Sequence, residues 1–281
     1  MLQIVTDSLS DITQQEAAKL QLTVLPLSVI FDGKAYLDGV TVSREEFYER
    51  LESDKALPTT SQVSPEAFSK AFEAALAAGD EVLCLTGSGE ISGTIQSALI
   101  ARDMQKSPER VHVLDTVNAT IGEALLVREA VRLRAQGLGT QELIDNMEAL
   151  IPRVRLIGQV ENLKHLVRGG RLNATSARLG MLVQLKPTLR LKNGKISQDG
   201  MKRGHKRVLE WFCEQLTELP FDAYYPVYIA AGHSPEARQA LRTALMERGV
   251  HVQSIREMDV GCVIGTHTGA GCLAMAWVEK G

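Results

Sequence analysis

Glu81-Val-Leu-Cys-Leu-Thr-Gly-Ser-Gly-Glu-Ile-Ser-Gly-Thr94 is the stretch on which the fold of this chain turns. Val82 to Leu85 is a short apolar run, the pattern of a buried strand. It breaks into Thr86-Gly87-Ser88-Gly89, where glycines admit backbone angles that other residues resist. Ile91, Ile95, Ala98 and Leu99 then recur at helical spacing, so a helix is expected to begin near Ser92. A strand that passes through such a turn into a helix leaves backbone N–H groups converging on one spot. The positive end of the helix dipole favours an anion there. Ser92 and Thr94 add hydroxyl donors that carry no charge. The expected guest is a carboxylate or a phosphate. An ordinary helix cap explains the same residues, and local sequence does not choose between the two.

Upstream, Leu2 to Thr6 is a strand candidate ending in Asp7-Ser8, followed by a helix over 11–20 and a strand over 23–30. Ser43-Arg44-Glu45-Glu46 has capping-box spacing and opens a short helix. Ser64 with Pro65 starts another, which carries Phe68 and Phe72 on one face. Thr59 to Gln62 is thereby left as a hydroxyl-rich loop. Downstream, Val111 to Leu114 is a strand ending in Asp115-Thr116, and helices are expected over 120–136 and 140–150. Strands and helices that alternate in this way imply a parallel sheet, with ligands beyond the carboxyl ends of its strands. Asp7-Ser8, Thr86 to Ser88 and Asp115-Thr116 each follow a strand and are expected to line one edge.

The second half reads as a separate α/β domain with a mixed sheet, giving domains at 1–152 and 153–281. Its expected elements are a strand over 155–160, a hairpin turning at Asn193-Gly194, and helices over 206–219 and 235–248. Strands over 225–231, 250–255 and 273–278 complete it, with a glycine-rich loop from Gly265 to Gly271. Residues 153–207 hold fourteen Lys or Arg and only two acids, a local +12 in a chain whose net charge is −3. Such a patch steers acidic partners toward one face.

Composition narrows the function classes. A chain of 281 residues with 44% hydrophobic and 23% charged content is that of a soluble globular protein. Aromatics make up only 5%, so an apolar pocket should be aliphatic. The amino terminus lacks the basic start and apolar run of a signal peptide, and no stretch is long enough to span a bilayer. Cys84, Cys213, Cys262 and Cys272 form no CxxC pair and read as reduced thiols of a cytoplasmic protein. No metal or cofactor is expected, because the six histidines lack metal-ligand spacing and neither a P-loop lysine nor GxGxxG occurs. His112 and His251 fall within expected strands and read as structural, whereas His267 is the best functional candidate. The basic segment lacks interleaved aromatics, so nucleic acid is not an expected partner.

Several marks in order resemble the DegV proteins, bacterial fatty-acid-binding proteins that include the FakB subunits of fatty acid kinase. They are Ile4-Val5-Thr6-Asp7-Ser8, Thr59-Thr60-Ser61-Gln62 with a following Ser-Pro, and Ser92-Gly93-Thr94 with Gln96-Ser97-Ala98. Leu166-Val167-Arg168-Gly169-Gly170-Arg171-Leu172 and the loop around His267 complete the set, which spans nearly the whole chain. Val63 and Ala270 stand where that family often has proline, a difference of loop stiffness more than of chemistry. The resemblance implies two α/β domains and a non-catalytic protein holding a long-chain fatty acid such as palmitate in a buried tunnel. It implies a carboxylate gripped by Thr60 and Ser92, with Ser61, Gly93, Thr94, His267 and Arg171 as neighbours. The implied partners are a FakA-like kinase catalytic subunit and an acyltransferase, without stable membrane insertion. A different class, a dihydroxyacetone-kinase-like enzyme that holds a small hydroxylated metabolite through a histidine, is the alternative, and His267 is the feature favouring it.

Overall fold

The computed structural model describes residues 1–53, 57–173 and 184–281. They form two α/β domains. The first is built on a four-stranded sheet of β1 (Leu2–Asp7), β2 (Leu22–Leu25), β6 (Glu81–Thr86) and β7 (Val111–Asp115), ordered β2-β1-β6-β7. Every pairing in it is parallel. A small antiparallel sheet of β3 (Ser28–Phe31), β4 (Lys34–Leu37) and β5 (Thr59–Ser61) lies beside it in the order β4-β3-β5. The second domain carries a six-stranded sheet of β8 (Val154–Gln159), β9 (Leu185–Lys192), β10 (Lys195–Arg203), β11 (Val227–Ala231), β12 (Ile255–Asp259) and β13 (Leu273–Val278). Its order is β10-β9-β8-β13-β11-β12, and only β11 with β12 is parallel.

Sequence and structure differ in several elements. Thr59 to Ser61, expected as part of a loop, is strand β5, drawn into the small sheet by its antiparallel pairing with β3, Thr60 opposite Val29. The segment over 23–30 is two strands in two sheets, because Pro26 has no N–H to give a ladder. The first helix is α1 (Gln14–Leu20), since Asp11 is left-handed (φ 56°) and the Thr13 side chain caps Glu16 N. His251 lies outside any strand and is exposed; the strand expected over 250–255 begins at Ile255, after a short 3-10 turn. Cys262–Thr268, half of it expected as loop, is a helix, here α10. It is the element that closes the site.

Three apolar clusters hold the layers. The largest spans both domains: on α5 (Thr120–Ala135), Ile121, Leu125 and Ala130 share it with Leu156, Tyr228 and Ala276 of the six-stranded sheet. The second packs α3 (Pro65–Ala77) on the first sheet through Phe68 and Phe72, and joins to it α2 (Arg44–Ser53), whose Phe47 meets Phe31 of the small sheet. The third packs α8 (Gly204–Glu218) and α9 (Pro235–Glu247) on the outer face of the second sheet around Trp211, Phe212 and Trp277. Full burial of one such side chain stabilises by about 1.5–3 kcal/mol. Because α5 contributes to a core shared by both sheets, the domains are pressed together and a cavity survives between them.

Candidate functional site

The stretch from Glu81 to Thr94 folds as a strand, a turn and a helix, α4 (Thr94–Asp103), with Gly93 in the capping position. The strand ends do not line the site, contrary to the sequence expectation. The Asp7 carboxylate accepts from Leu9 N at 2.9 Å and Gly87 N at 3.0 Å, and Asp115 accepts from Gly89 N at 3.0 Å. Thr116 Oγ1 donates to Thr86 O at 2.8 Å. These groups fasten the turn, and Asp7, Thr86, Gly87, Asp115 and Thr116 are all absent from the cavity wall. Burial raises the Asp7 carboxyl to about 7, with its backbone donors opposing that rise.

Between the domains is a cavity of about 370 Å³, within the usual range of small-molecule sites. Thr60, Ser61, Ser92, Gly93, Arg171 and His267 all lie on its wall. Thr94 does not: it is fully buried, its hydroxyl 2.8 Å from Ser92 Oγ and its N–H directed at the same oxygen at 3.3 Å. Thr94 therefore orients Ser92 from behind. Gly93 is demanded by Gln62, whose Oε1 would lie 2.0 Å from an added Cβ and whose Nε2 donates to Ser97 Oγ at 2.9 Å. Gln62 also reaches the wall.

The opposite side of the polar end comes from α10. Its start is held by two buried carboxylates of the first domain: Asp11 accepts from Gly261 N at 2.8 Å, and Asp38 accepts from Cys262 N at 3.2 Å and Val263 N at 3.4 Å. Negative side chains at a helix start satisfy free N–H groups and complement the dipole. Gly265 seats the helix, since an added Cβ would come within 2.7 Å of both Phe47 and Tyr48. So placed, His267 meets Thr60 Oγ1 through Nε2 at 2.9 Å. Burial, with Arg171 and His165 nearby, lowers its imidazole to about 4, so it is neutral at physiological pH.

Arg171 supplies the charge. Its guanidinium donates to Ile91 O at 3.0 Å and Gly169 O at 2.6 Å, and among the described residues no carboxylate pairs with it. A half-buried cation whose hydrogen-bond partners among the described residues are carbonyl oxygens is poised for an anion. Much of the remaining basic charge of 153–207 is spent internally, through Arg153–Asp222, Arg155–Glu279, Lys186–Glu161, Arg190–Asp199 and Lys195–Glu90. The rest of the wall is largely aliphatic, with Leu9, Ile91, Leu156, Leu189, Val260 and Ile264 among its residues; Gln159 and Arg190 also reach it, and among the described residues no Phe, Tyr or Trp does.

Sequence reasoning missed Asp11, Asp38 and Gly261, which hold α10 but touch no cavity. The contacts join residues more than 200 positions apart, and no local pattern announces them. Among the described residues no three His, Cys, Asp or Glu side chains are grouped to hold a metal ion, and no helix is long and apolar enough to cross a membrane.

A family model described as "Uncharacterised protein, DegV family" matches residues 1–280. A DegV domain-containing protein of Caldanaerobacter subterraneus subsp. tengcongensis is 35% identical over 278 residues, which cover 99% of this chain and 98% of the relative. Among solved structures, the chain is similar to a DegV family protein from Thermus thermophilus described by its fatty acid binding, with a TM-score of 0.91, 33% identity and 99% of each chain covered. It is also similar to a stearic-acid-binding protein from Eubacterium ventriosum, with a TM-score of 0.88, 28% identity, and coverage of 100% of this chain and 99% of the other. With the family model spanning residues 1–280 and relatives matched from end to end, this chain belongs to the DegV family.

Proposed function

We propose that this chain is a non-catalytic carrier that binds a long-chain fatty acid such as palmitate. The acid group is held at the polar end of the cavity by Thr60 and Ser92, with Ser61, Gly93, His267 and Arg171 around it and Thr94 supporting Ser92 from behind. The observation that carries this reading is one largely aliphatic cavity with hydroxyls on its wall and a guanidinium that, among the described residues, no carboxylate pairs. The Thermus and Eubacterium proteins, described by fatty acid binding, support it. Burying about 14 methylenes at roughly 0.8 kcal/mol each gives on the order of 11 kcal/mol gross. The tail thus supplies affinity and the polar end supplies orientation. A neutral His267 suits the task, because it meets a hydroxyl without adding a second fixed charge.

Presentation of the carboxylate to a FakA-like kinase in the cytoplasm, with an acyltransferase downstream, completes the proposal, as does a domain boundary between residues 152 and 153. The dihydroxyacetone-kinase-like alternative calls for a polar pocket, which the aliphatic wall disfavours. Mass spectrometry of lipid released from purified protein tests the reading, with Thr60→Ala/Ser92→Ala beside the wild type. Wild type should release fatty acid and the double variant far less. Equal retention would remove the proposed head-group site.

A further inference from the structure

The six-stranded sheet gives the cavity a floor with a step in it. Along β8, Leu156 and Gly158 point to one face and Ile157 to the other; Leu156 belongs to the core shared by both domains and Ile157 to the outer cluster. Strand register carries the inner face sideways. Gly158 stands opposite Leu189 of β9 and Ala274 of β13, while Leu156 stands opposite Leu191 of β9, which faces Ile196 of β10. All six line the cavity. Directly opposed residues share a face, so two adjoining rows cross the floor. The Gly158 row is low over β8 and β13, where its members carry at most a methyl group. The next row, Ile196, Leu191 and Leu156, sets three branched side chains abreast. Its continuation on β13, Ala276, is fully buried in the core shared with α5 and absent from the wall, so the low ground does not pass round the row.

The polar end joins the sheet at the other end of these strands. α7 (Lys164–Arg168), which leads to Arg171, follows the last residues of β8, and α10, which carries His267, precedes the first residues of β13. Gln159 and Leu273 pair there, and Val160 and Cys272 just beyond them line the cavity. A chain held at that end and running along β8 crosses the Gly158 row first and meets the Leu156 row next. We propose, resting on the fatty-acid reading of this cavity, that Ile196, Leu191 and Leu156 are the stop against which the methyl end abuts, and that they fix the longest acyl chain the site accepts. Adjoining rows on one sheet face are about 6.8 Å apart, the reach of roughly five methylenes. A stop moved back to the Gly158 row therefore shortens the accepted chain by up to about that number, and trimming the existing stop lengthens it.

Competition titrations on the full chain with straight saturated acids of ten to twenty-two carbons locate the limit. Wild-type affinity should rise about fourfold with each methylene up to a limiting length and fall beyond it. Leu191→Ala and Leu156→Ala should each move the limit outward by about two carbons, because each vacates the room of about three. Ala274→Leu should move it inward by about three carbons or more. Acids that end short of a variant's limit should bind it within about threefold of wild type. Leu191 is only half-buried, so its variant carries the test should Leu156→Ala fail to fold, and the opposite shift in Ala274→Leu is one that general loosening does not produce. A wild-type affinity that climbs without a break to twenty-two carbons overturns the proposal. So does a limit that neither kind of variant moves, or a loss equal at every length. A wild type that binds none of the acids removes the fatty-acid reading itself, and this proposal with it.

Discussion

Replacing Thr60 by valine and Ser92 by alanine removes two hydroxyls from the cavity wall while leaving its aliphatic part intact. A hydrogen bond to a charged group contributes about 1.5–3 kcal/mol, so the pair together should cost about 3–6 kcal/mol of binding. That is a fall in affinity of about 10²- to 10⁴-fold. The tail's gross contribution, on the order of 11 kcal/mol, is untouched, so weak binding should persist. Thr60→Val also strips His267 Nε2 of its Thr60 partner, and among the described residues Nδ1 already lacks one, so a stability loss of about 1–3 kcal/mol should accompany it. Binding and stability separate by ligand choice. Titration calorimetry with hexadecanoate and with hexadecanol should show the large loss for the acid and a small one for the alcohol. An acid affinity within threefold of wild type, or equal losses for both ligands, would refute the assignment of the hydroxyls.

His267 takes up its proton near pH 4 when folded and near 6.5 when unfolded. The unfolded chain binds the extra proton between those values, so this group costs stability progressively as pH falls through that window. Urea denaturation should show His267→Gln losing less stability than wild type between pH 7 and 4, by up to about 3 kcal/mol. Asp7 and Asp11, raised to about 7, act oppositely and lose stability as pH rises, but they are common to both proteins and cancel. Parallel pH profiles would contradict the buried, neutral imidazole. Gly93→Val should drive Gln62 from Ser97, lowering thermal stability by about 1–3 kcal/mol and weakening acid binding; an unchanged melting temperature would argue against this packing. Asp38→Ala should uncap α10, at about 0.5–2 kcal/mol of stability and with looser ligand retention. Retention equal to wild type would show that α10 holds its place without the cap.

Period and punctuation made most of the first domain legible. Val82–Leu85, Ser64-Pro65 and the turn before Ser92 announce themselves through apolar runs, caps and turn chemistry, whereas Thr60 was singled out by the family resemblance. Low aromatic content foretold an aliphatic wall. The misreadings at the site share one cause. The carboxylates at the strand ends looked free for a ligand because their partners, Gly87 N and Gly89 N, are brought to them only by the parallel pairing of β1, β6 and β7. Thr94 looked equivalent to Ser92 because spacing cannot tell the wall of a cavity from the layer behind it. Glycines at 265, 269 and 271 suggested a loop, yet Gly265 serves close helix packing against Phe47 and Tyr48. Tertiary contact, not local preference, decided each of these.

The anchoring of α10 by Asp11 and Asp38 has a consequence for how the protein matures. Thr60 and Ser92 are synthesised early, but the opposing His267 and the strand behind it emerge from the ribosome some 170 residues later than Ser92. A nascent chain halted before Gly261 would carry half a binding site and leave both anchoring carboxylates without their backbone donors. On the fatty-acid reading, ligand capture waits until α10 has been made, and retention of lipid reports that α10 has found its two anchoring carboxylates.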